Sequence, residues 1–432
     1  MGISELYNLY LQHPVITTDS RNCPEGSIFF ALKGESFDGN AFAGAALEKG
    51  CAYAVIDEKE YARKGDPRFI LTENVLTTFK ELAREHRRHY DIPVIGITGT
   101  NGKTTTKELV SAVLSERYHV MHTEGNFNND VGVPKTLFRM DRSHDVAVIE
   151  MGASHPGDIR KLVEYAEPTC GLITNVGRAH LQGFGSFEGV MQTKGELYDY
   201  LKAHEALVFL NGSNPYLTSM AQDRNLQRIV SYGQTDDVNF SGEVIGNDPY
   251  VRFRWRELNG EWREVQTQLV GAYNIDNLMA AVAVGKHFLI SDEEIRHALE
   301  NYTPSNSRSQ LVETGKNKLI VDTYNANPTS MAAALDNFTG MQVDMPKMAI
   351  LGDMRELGEQ SAEEHQKIVD GLKDIPEVWL VGEEFGRTRC DFRKFKDVGA
   401  VKEAIRSECP EGRYILIKGS NGIRLFELPE LL

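Results

Sequence analysis

The residues with the clearest chemical meaning form one glycine-rich segment, Gly96-Ile97-Thr98-Gly99-Thr100-Asn101-Gly102-Lys103-Thr104-Thr105. An apolar run precedes it and an amphipathic stretch follows it, which predicts a strand, a tight turn and a helix. In that setting, backbone N–H groups and the positive end of the helix bind phosphate. Lys103 can then reach the β- and γ-phosphates, and the Thr104 hydroxyl can ligate the accompanying Mg²⁺. The segment predicts a nucleoside triphosphate site, although its glycines at 96 and 99 depart from the general P-loop spacing.

Two further polar residues follow predicted strands. Glu150 ends the apolar run that starts at Asp145, at the point where P-loop enzymes place a magnesium ligand. His180 follows the strand predicted at 171–176, at the edge where open α/β sheets gather their ligands. The residues between that strand and His180 lack the Asn-Lys-x-Asp signature, so GTP specificity is not indicated. Position alone leaves His180 equally open to a structural role.

Strands and helices in alternation must position these side chains. Buried-strand candidates between residues 93 and 232 alternate with helices, which predicts a central doubly wound, mostly parallel P-loop sheet. Residues 237–270 predict an antiparallel hairpin appended to that sheet. A small α/β domain before it and a Rossmann-like α/β domain after it complete a three-domain α/β fold. We predict domain boundaries at 1–90, 91–303 and 304–432, with a linker at 303–307.

Local patterns add details to this outline. A helix is predicted through Val75 to Arg88, and Ser291 with Glu294 forms a capping box at the start of another helix. Gly183-Phe184-Gly185-Ser186 is typical of a mobile loop. Lys194 is predicted to begin a helix or lie on one.

Composition narrows the class of function. The chain has 432 residues, of which 41% are hydrophobic and 25% charged, as in a globular protein of about three domains. Its net charge of −15 argues against a protein that coats nucleic acid. No apolar run approaches the roughly 20 residues of a membrane span, and we expect no secretory signal because no basic stretch followed by an apolar core opens the sequence. Five cysteines without a C-x-x-C pair predict reduced thiols and a cytoplasmic protein.

Longer motifs occur together in one order, at 99–104 (GTNGKT), 125–134 (GNFNNDVGVP), 179–186 (AHLQGFGS), 322–328 (DTYNANP) and 351–358 (LGDMRELG). With them the whole chain resembles the Mur ligase family, the ATP-dependent amide-forming enzymes of peptidoglycan precursor synthesis. The resemblance is closest to the branch that adds D-alanyl-D-alanine, and it accounts for the irregular glycine spacing. It implies a cytoplasmic ligase of cell-wall biogenesis, on which cell shape and division depend.

The activity implied is amide bond formation between UDP-N-acetylmuramoyl-tripeptide and D-alanyl-D-alanine. An acyl phosphate would be the intermediate, and ADP and phosphate would be released. The resemblance also implies a C-terminal domain that closes over ATP and binds the dipeptide, with a hinge near 303–308. We expect a monomer with small-molecule substrates, no nucleic-acid partner and no membrane span. Whether the third peptide residue is diaminopimelate or lysine is not predicted by the sequence.

The resemblance also implies roles for individual residues. Those that would bind ATP are Gly99, Thr100, Asn101, Gly102, Lys103, Thr104, Thr105, Asn274, Asn277, Arg308 and Asp322. Those that would hold two Mg²⁺ ions are Thr104, Glu150, His180 and Lys194, the last carbamylated by CO₂ into an anionic oxygen ligand. The catalytic set would be Lys103, Glu150, His180 and Lys194. Residues that would hold the UDP-linked substrate are Ser20, Arg21, Asn40, Asn126, Asn128 and Asn129.

Two other functions remain to be weighed. A folylpolyglutamate synthase would share the P-loop and the closing domain, but this interpretation does not account for the motifs at 126–134 and 322–328. A non-catalytic ATP-binding scaffold that regulates a partner is a second alternative. The joint presence of Lys103, Glu150 and Lys194 argues against it, because a site without activity would be expected to have lost at least one of them.

Overall fold

The computed structural model describes residues 1–34, 36–304, 308–372 and 374–432. Its strands are β1 Ile16–Thr17, β2 Ile28–Phe30, β3 Lys33–Gly34, β4 Phe37–Asp38, β5 Tyr53–Ile56, β6 Phe69–Leu71, β7 Val94–Thr98, β8 Val120–His122, β9 Val146–Glu150, β10 Cys170–Ile173, β11 Leu207–Asn211, β12 Ile229–Gly233, β13 Phe240–Asn247, β14 Tyr250–Glu257, β15 Arg263–Val270, β16 Gln310–Glu313, β17 Lys318–Asp322, β18 Lys347–Gly352, β19 Glu377–Val381, β20 Arg393–Phe395 and β21 Tyr414–Lys418. Its α-helices are α1 Ile3–Gln12, α2 Ala43–Glu48, α3 Val75–Arg88, α4 Lys103–Leu114, α5 Gly132–Leu137, α6 Asp158–Ala166, α7 Leu181–Phe184, α8 Phe187–Ala203, α9 Pro215–Asp223, α10 Ile275–His287, α11 Asp292–Asn301, α12 Pro328–Gly340, α13 Ser361–Asp370, α14 Glu383–Gly386 and α15 Val398–Glu408.

These elements separate into two compact units. The first unit contains Met1–Gly96, Met121–Met151 and Arg160–Pro168. The second unit contains Ile97–Val120, Gly152–Ile159 and Thr169–Leu432. No helix in the described part of the chain has the length and apolar character that a membrane crossing requires.

The first unit is built on a parallel sheet with the strand order β1-β2-β5-β6. Its central strands are apolar runs because helices cover both of their faces. Tyr7 and Phe79, from α1 and α3, pack on one face, and Leu47 from α2 packs on the other. Helix α3 has the predicted bounds, and the Asn74 side chain caps it by accepting a hydrogen bond from the Thr77 N–H. The same unit contains β9, which ends at Glu150.

The second unit contains strands that follow the order β15-β14-β13-β12-β11-β10 in one sheet. Strands β10 to β13 are parallel, and β14 and β15 fold back antiparallel. The predicted antiparallel appendage is therefore an extension of the parallel sheet, and β13 belongs to both parts. Helix α10 is apolar nearly all round because it packs between α4 and this sheet.

The second unit also holds a six-stranded sheet with the order β16-β17-β21-β18-β19-β20. Only β16 is antiparallel, so the sheet is Rossmann-like. Apolar clusters cover both of its faces. Strand β21 is the last of the six in sequence but lies inside the sheet, where Lys418 is the register partner of Asp322. The mixed α/β fold with parallel-rich sheets is thus as predicted.

One local prediction was wrong. The segment 183–186 is not a mobile loop, because α7 occupies Leu181–Phe184 and Ser186 caps α8 through its Oγ. Leu181 and Phe184 are three residues apart, and both pack against Val190. The two glycines obscured this apolar helical spacing.

Other local predictions had mixed outcomes. The capping box at Ser291 is present, with Ser291 N–H donating to Glu294 Oε2 at 2.8 Å. The linker at 303–307 and the hinge near 303–308 fall partly on residues 305–307, which lie outside the described residues.

Candidate functional site

The glycine-rich turn between β7 and α4 can be formed only with glycine at two of its positions. Gly99 has a φ of +145° and Gly102 a φ of +77°. A Cβ at Gly99 would lie 2.0 Å from Thr174 Oγ1, and one at Gly102 would lie 2.5 Å from Asn277 Oδ1. Any other residue would be strained and would also clash. The unusual glycine spacing therefore matches the geometry of this turn.

Hydrogen bonds tie the turn to the end of β10. The Thr100 N–H donates to Asn175 O at 3.0 Å, and the Asn101 N–H donates to Asn175 Oδ1 at 2.9 Å. Thr174 Oγ1 donates to Asn101 O at 2.6 Å. These bonds hold the backbone of the turn in one conformation before any ligand is bound, which lowers the entropic cost of binding.

The first residues of α4 supply the groups expected to meet phosphate. Lys103 Nζ donates to Gly99 O at 2.9 Å and to Thr100 O at 3.0 Å, so its ammonium lies over the turn. Thr104 is buried, and Thr105 follows it in the first turn. The N-cap residue is Gly102, so no side chain of that residue caps the start of the helix. An uncapped helix start of this kind can accept an anion.

Asn274 and Asn277 brace the turn from α10. Thr106 Oγ1 donates to Asn277 Oδ1 at 3.0 Å, and Asn277 Nδ2 donates to Asn274 Oδ1 at 2.9 Å. Asn274 Nδ2 in turn donates to Val270 O at 2.9 Å. Both asparagines are buried, so the structure brings these two predicted residues together beside Gly102.

His180 and Lys194 share a contact with Phe184. The centroids of the His180 and Phe184 rings lie 6.2 Å apart, and Lys194 Nζ lies 5.4 Å from the Phe184 centroid. His180 Nδ1 lies 2.5 Å from Glu356 Oε2. The proximity of His180 lowers the pKa of the Glu356 carboxyl. The structure thus places two predicted metal ligands around one buried aromatic ring.

Lys194 is an unusual lysine. It lies in the middle of α8 with 2% of its surface exposed, and its Nζ has only Ala153 O, at 3.5 Å, as a hydrogen-bond acceptor among the described residues. Burial lowers its pKa well below the ordinary value of 10.5, and the charge of Lys103 lowers it further. The carboxylates of Asp158 and Glu196 oppose this shift. The surroundings of Lys194 therefore favour a neutral amine.

Arg308 and Asp322 are each held by a neighbour. The Arg308 guanidinium stacks 3.8 Å from the centre of the Tyr324 ring, and its buried Nε has no hydrogen-bond partner within the described ranges. Asp322 Oδ2 accepts a hydrogen bond from Lys418 Nζ at 2.6 Å. The Lys418 side chain is 2% exposed, so this ion pair is buried.

Helix α12 reaches the glycine-rich turn. Asn327, the N-cap of α12, donates through Nδ2 to Asn101 Oδ1 at 2.7 Å, and the two amides also pair in the reverse direction at 3.4 Å. The N-terminus of α12 and the turn are therefore in direct contact.

In the first unit, Glu150 is 1% exposed at the end of β9. Its Oε1 accepts a hydrogen bond from Asn128 Nδ2 at 2.8 Å, and its N–H donates to Thr123 Oγ1 at 2.9 Å. Glu150 Oε2 is buried and has no hydrogen-bond partner among the residues described. One carboxylate oxygen is thus fixed and the other is available.

The remaining predicted substrate residues fall into different settings. Asn40 is 1% exposed, and its side chain bonds to Asp38, Asp57 and Glu58, so its amide has a structural role here. Arg21 is exposed and forms a two-pronged ion pair with Asp19, whose pKa this pairing lowers. Ser20 is half-buried, whereas Asn126 and Asn129 are exposed. Asn129 Oδ1 accepts hydrogen bonds from the N–H groups of Val131 and Gly132, where α5 begins.

The residues present fit a magnesium ion that arrives with phosphate. No group of three or more His, Cys, Asp or Glu side chains in the described part of the chain could hold a metal ion. Mg²⁺ does not need one, because it keeps several waters and binds through one or two carboxylates together with substrate phosphates. The buried, unpartnered Oε2 of Glu150 is the kind of hard oxygen that such an ion takes.

Sequence reasoning missed several residues that support these groups. Phe184 was assigned to a loop, and Glu356 and Asn327 stood in quoted motifs without a role. Lys418 was also missed, although it carries the same signal as Glu150: a single charged residue that closes a buried apolar strand.

Comparisons with known proteins cover nearly the whole chain. Residues 14–95 match the model described as Mur ligase family, catalytic domain; residues 97–285 match Mur ligase middle domain; and residues 307–421 match Mur ligase, glutamate ligase domain. UDP-N-acetylmuramoyl-tripeptide–D-alanyl-D-alanine ligase from Bacillus subtilis is 32% identical over 428 residues, with 96% of this chain and 92% of that protein covered.

Solved structures agree with the sequence matches. MurF from Acinetobacter baumannii superposes with a TM-score of 0.87 at 28% identity, covering 96% of this chain and 92% of that one. The MurF ligase from Thermotoga maritima in complex with ADP also gives 0.87, at 25% identity, with 96% of both chains covered. From the matched family models, the end-to-end relative and the shared fold, we conclude that the chain belongs to the Mur ligase family.

Proposed function

We propose that this protein is an ATP-dependent ligase that joins D-alanyl-D-alanine to UDP-N-acetylmuramoyl-tripeptide. The observation that carries the proposal is its similarity to a ligase of that name over 96% of the chain, a length that includes the P-loop, Glu150, His180 and Lys194. The reaction would consume ATP and release ADP and phosphate. It would be a cytoplasmic step in the synthesis of a peptidoglycan precursor.

The first chemical step must bring two anions together. The carboxylate of the UDP-linked peptide attacks the γ-phosphorus of ATP, and the bond from that phosphorus to the β–γ bridging oxygen breaks. The Lys103 ammonium and the N–H groups at the start of α4 would offset the repulsion between the reactants and hold them in line. Two Mg²⁺ ions, held by Thr104, Glu150, His180 and Lys194, would supply further charge neutralisation when bound.

Lys194 would become a metal ligand through reaction with CO₂. Its neutral amine attacks the carbon of CO₂, a C–N bond forms, and one proton is lost to give an anionic carbamate. Only the neutral amine carries the lone pair that this reaction needs, and the burial of Lys194 favours the neutral form. The Lys103 ammonium disfavours a second cation at Lys194 and lowers the pKa of that amine. The modification would place an anion there instead.

The second chemical step forms the amide. The amine of D-alanyl-D-alanine attacks the acyl phosphate, and the tetrahedral intermediate collapses with loss of inorganic phosphate. Because water would hydrolyse the acyl phosphate, we expect Arg308, Asp322 and the N-terminus of α12 to help exclude water while they hold the nucleotide. The contact between Asn327 and Asn101 supports this role for α12.

The enzyme would use ATP and two Mg²⁺ ions as cofactors, together with the carbamylated Lys194. It would be monomeric and cytoplasmic. A folylpolyglutamate synthase would use the same P-loop, but it would not be expected to match a D-alanyl-D-alanine ligase from end to end. The hinge near 303–308 and the domain limits at 1–90, 91–303 and 304–432 stay predictions.

A coupled assay of ADP release tests the proposal. The purified chain is supplied with ATP, Mg²⁺ and D-alanyl-D-alanine together with UDP-muramoyl tripeptides that carry either diaminopimelate or lysine. We expect ADP release that depends on both substrates, and a loss of about 10²–10³-fold in Lys103→Ala. Turnover with folate and glutamate instead, or full activity in Lys103→Ala, would contradict the proposal.

A further inference from the structure

We infer that Asn128 is a positioning residue that orients Glu150 for its metal ion, rather than a residue that contacts the peptide substrate. The inference rests on the proposed function, because it takes Glu150 to be a magnesium ligand. It assigns Asn128 a role different from the one that the family resemblance implies. The observations that carry it all lie within the first unit of the chain.

The two oxygens of the Glu150 carboxylate have different environments. Oε1 lies 2.8 Å from Asn128 Nδ2 and accepts its hydrogen bond. Oε2 is buried and has no hydrogen-bond partner in the described part of the chain. Desolvating a carboxylate oxygen without a partner is costly, so native proteins seldom leave one in that state. An oxygen that is dry, unpaired and fixed in direction is suited to a cation.

The backbone on both sides of this pair is restrained. The Glu150 N–H donates to Thr123 Oγ1, which fixes the end of β9. On the other side, the Asn128 N–H donates to Asn126 O at 2.7 Å within a tight turn. Both groups therefore have little freedom, and the hydrogen bond between them sets the plane of the carboxylate.

An ion pair between a buried lysine and a half-exposed aspartate anchors the loop that carries Asn128. Lys80 Nζ, on α3, lies 2.6 Å from Asp130 Oδ2, and the Lys80 side chain is 8% exposed. The same ammonium lies 5.6 Å from the centre of the Tyr165 ring. A lysine is rarely buried to this extent unless it is paired. The pair therefore secures the loop two residues away from Asn128.

The Asn128 amide donor acts on Glu150 by occupying Oε1, so that Oε2 is the carboxylate oxygen left to face a cation. Partners of this kind, one shell beyond the metal, typically change metal affinity by about 10- to 100-fold when they are removed. Asn128 is thus expected to affect metal affinity rather than the intrinsic rate of the loaded enzyme.

Mn²⁺ binding to the full chain tests the inference without any acyl substrate. Electron paramagnetic resonance reports free Mn²⁺, so a titration in the presence of ADP gives the dissociation constant. Asn128→Ala removes the donor, and Asn128→Leu removes it while nearly keeping the side-chain volume. We expect both to raise the dissociation constant by about 10- to 100-fold. Lys80→Met, which releases the loop anchor, should give a smaller rise.

Matched controls separate orientation from folding. Glu124→Gln breaks an ion pair with Arg139 at the start of the same loop and should leave Mn²⁺ binding unchanged. Thermal unfolding without metal shows whether each variant is folded. In the ligase assay, excess Mg²⁺ should restore the rate of Asn128→Ala, whereas a defect of folding or substrate contact would not respond to Mg²⁺.

The outcomes distinguish the inference from the proposed function. Unchanged Mn²⁺ affinity in folded Asn128→Ala and Asn128→Leu would overturn the inference. Loss of affinity in Asn128→Ala but not in Asn128→Leu would also overturn it, because side-chain volume rather than the donor would then matter. If the wild-type chain with ADP bound no Mn²⁺, the proposed function itself would be contradicted.

Discussion

Lys194 and Lys418 are both buried, but their surroundings differ: Lys418 has a carboxylate partner and Lys194 has a carbonyl oxygen at 3.5 Å. Lys418 ends β21 and donates to Asp322 Oδ2 at 2.6 Å, so a carboxylate accompanies its charge. Lys194 lies within α8 with a carbonyl oxygen at 3.5 Å and an aromatic ring beside it, and its pKa is strongly lowered. Burial alone therefore does not determine what a lysine does; the partner within hydrogen-bond distance does.

The difference has a chemical meaning. A paired ammonium is a fixed cation that orients its carboxylate, here a residue expected to bind the nucleotide. An unpaired buried amine tends to lose its proton, and a neutral amine is a nucleophile. The two sites thus provide a structural cation and a reactive nitrogen from the same residue type.

The largest expected effect that tests this comparison is on stability. Lys418→Met should lower the free energy of unfolding by about 3–5 kcal/mol, because it leaves the charge of Asp322 in a buried position without its partner. Urea unfolding of the chain without ligands measures this change. Lys316→Met, which removes an exposed ion pair with Glu411, is the control and should have no measurable effect. Equal stability of Lys418→Met and wild type would show that the pair is not structural.

The next effect is on activity. Lys194→Ala should lower ligase turnover by about 10²–10³-fold, because it removes the amine from which we propose that the anionic carbamate ligand forms. Short carboxylic acids such as acetate or propionate should restore part of the rate by supplying an oxygen anion in the space that the side chain leaves. The rate is measured by ADP release over a series of acid concentrations.

Lys202→Ala, an exposed lysine on the same helix, is the matched control and should be fully active without added acid. Absence of rescue in a folded Lys194→Ala would weaken the carbamate proposal. It would leave the lowered pKa of Lys194 without a chemical purpose.

The smallest effect is also on stability, with the opposite sign to that of Lys418. Lys194→Met should stabilise the chain without ligands by roughly 1–2 kcal/mol at pH 7, since an apolar side chain replaces a buried amine. The folded-state pKa of Lys194 lies below its unfolded value of 10.5, so the unfolded state binds the proton more tightly. As the pH falls from 10.5, the wild type should therefore lose stability relative to Lys194→Met.

This difference should level off below the folded-state pKa. Urea unfolding of both chains in CO₂-free buffer between pH 7 and 10.5 checks the sign. A gap that stayed constant across this range would mean that Lys194 is protonated alike in both states, and the contrast with Lys418 would then disappear.

Sequence patterns predicted the elements well where one physical signal dominated. Buried parallel strands are apolar runs, so β9 was located within one residue, and α3 was located to the residue. The short helix α7 was missed because its two glycines outweighed an apolar spacing that only the packing against Val190 reveals. Local propensity is a weak guide where tertiary contacts decide.

The candidate site likewise had residues that the sequence predicted and partners that it did not. The P-loop was predictable because its glycines are required by local backbone geometry. The partners of the functional groups were not, because they are distant in sequence: Glu356 lies beside His180, and Asn327 pairs with Asn101. Asn128 and Asn40 have the same side chain, yet one holds Glu150 and the other joins loops of the first unit. Only three-dimensional packing separates these roles.

The position of β21 bears on how the chain is made. Five strands of the six-stranded sheet, including β17 with Asp322, leave the ribosome before β21, yet β21 must enter between β17 and β18. Until residues 414–418 emerge, two apolar strand edges stay open and Asp322 has no cation beside it. The sheet therefore cannot be completed, and the ion pair between Asp322 and Lys418 cannot form, until residues 414–418 have been synthesised.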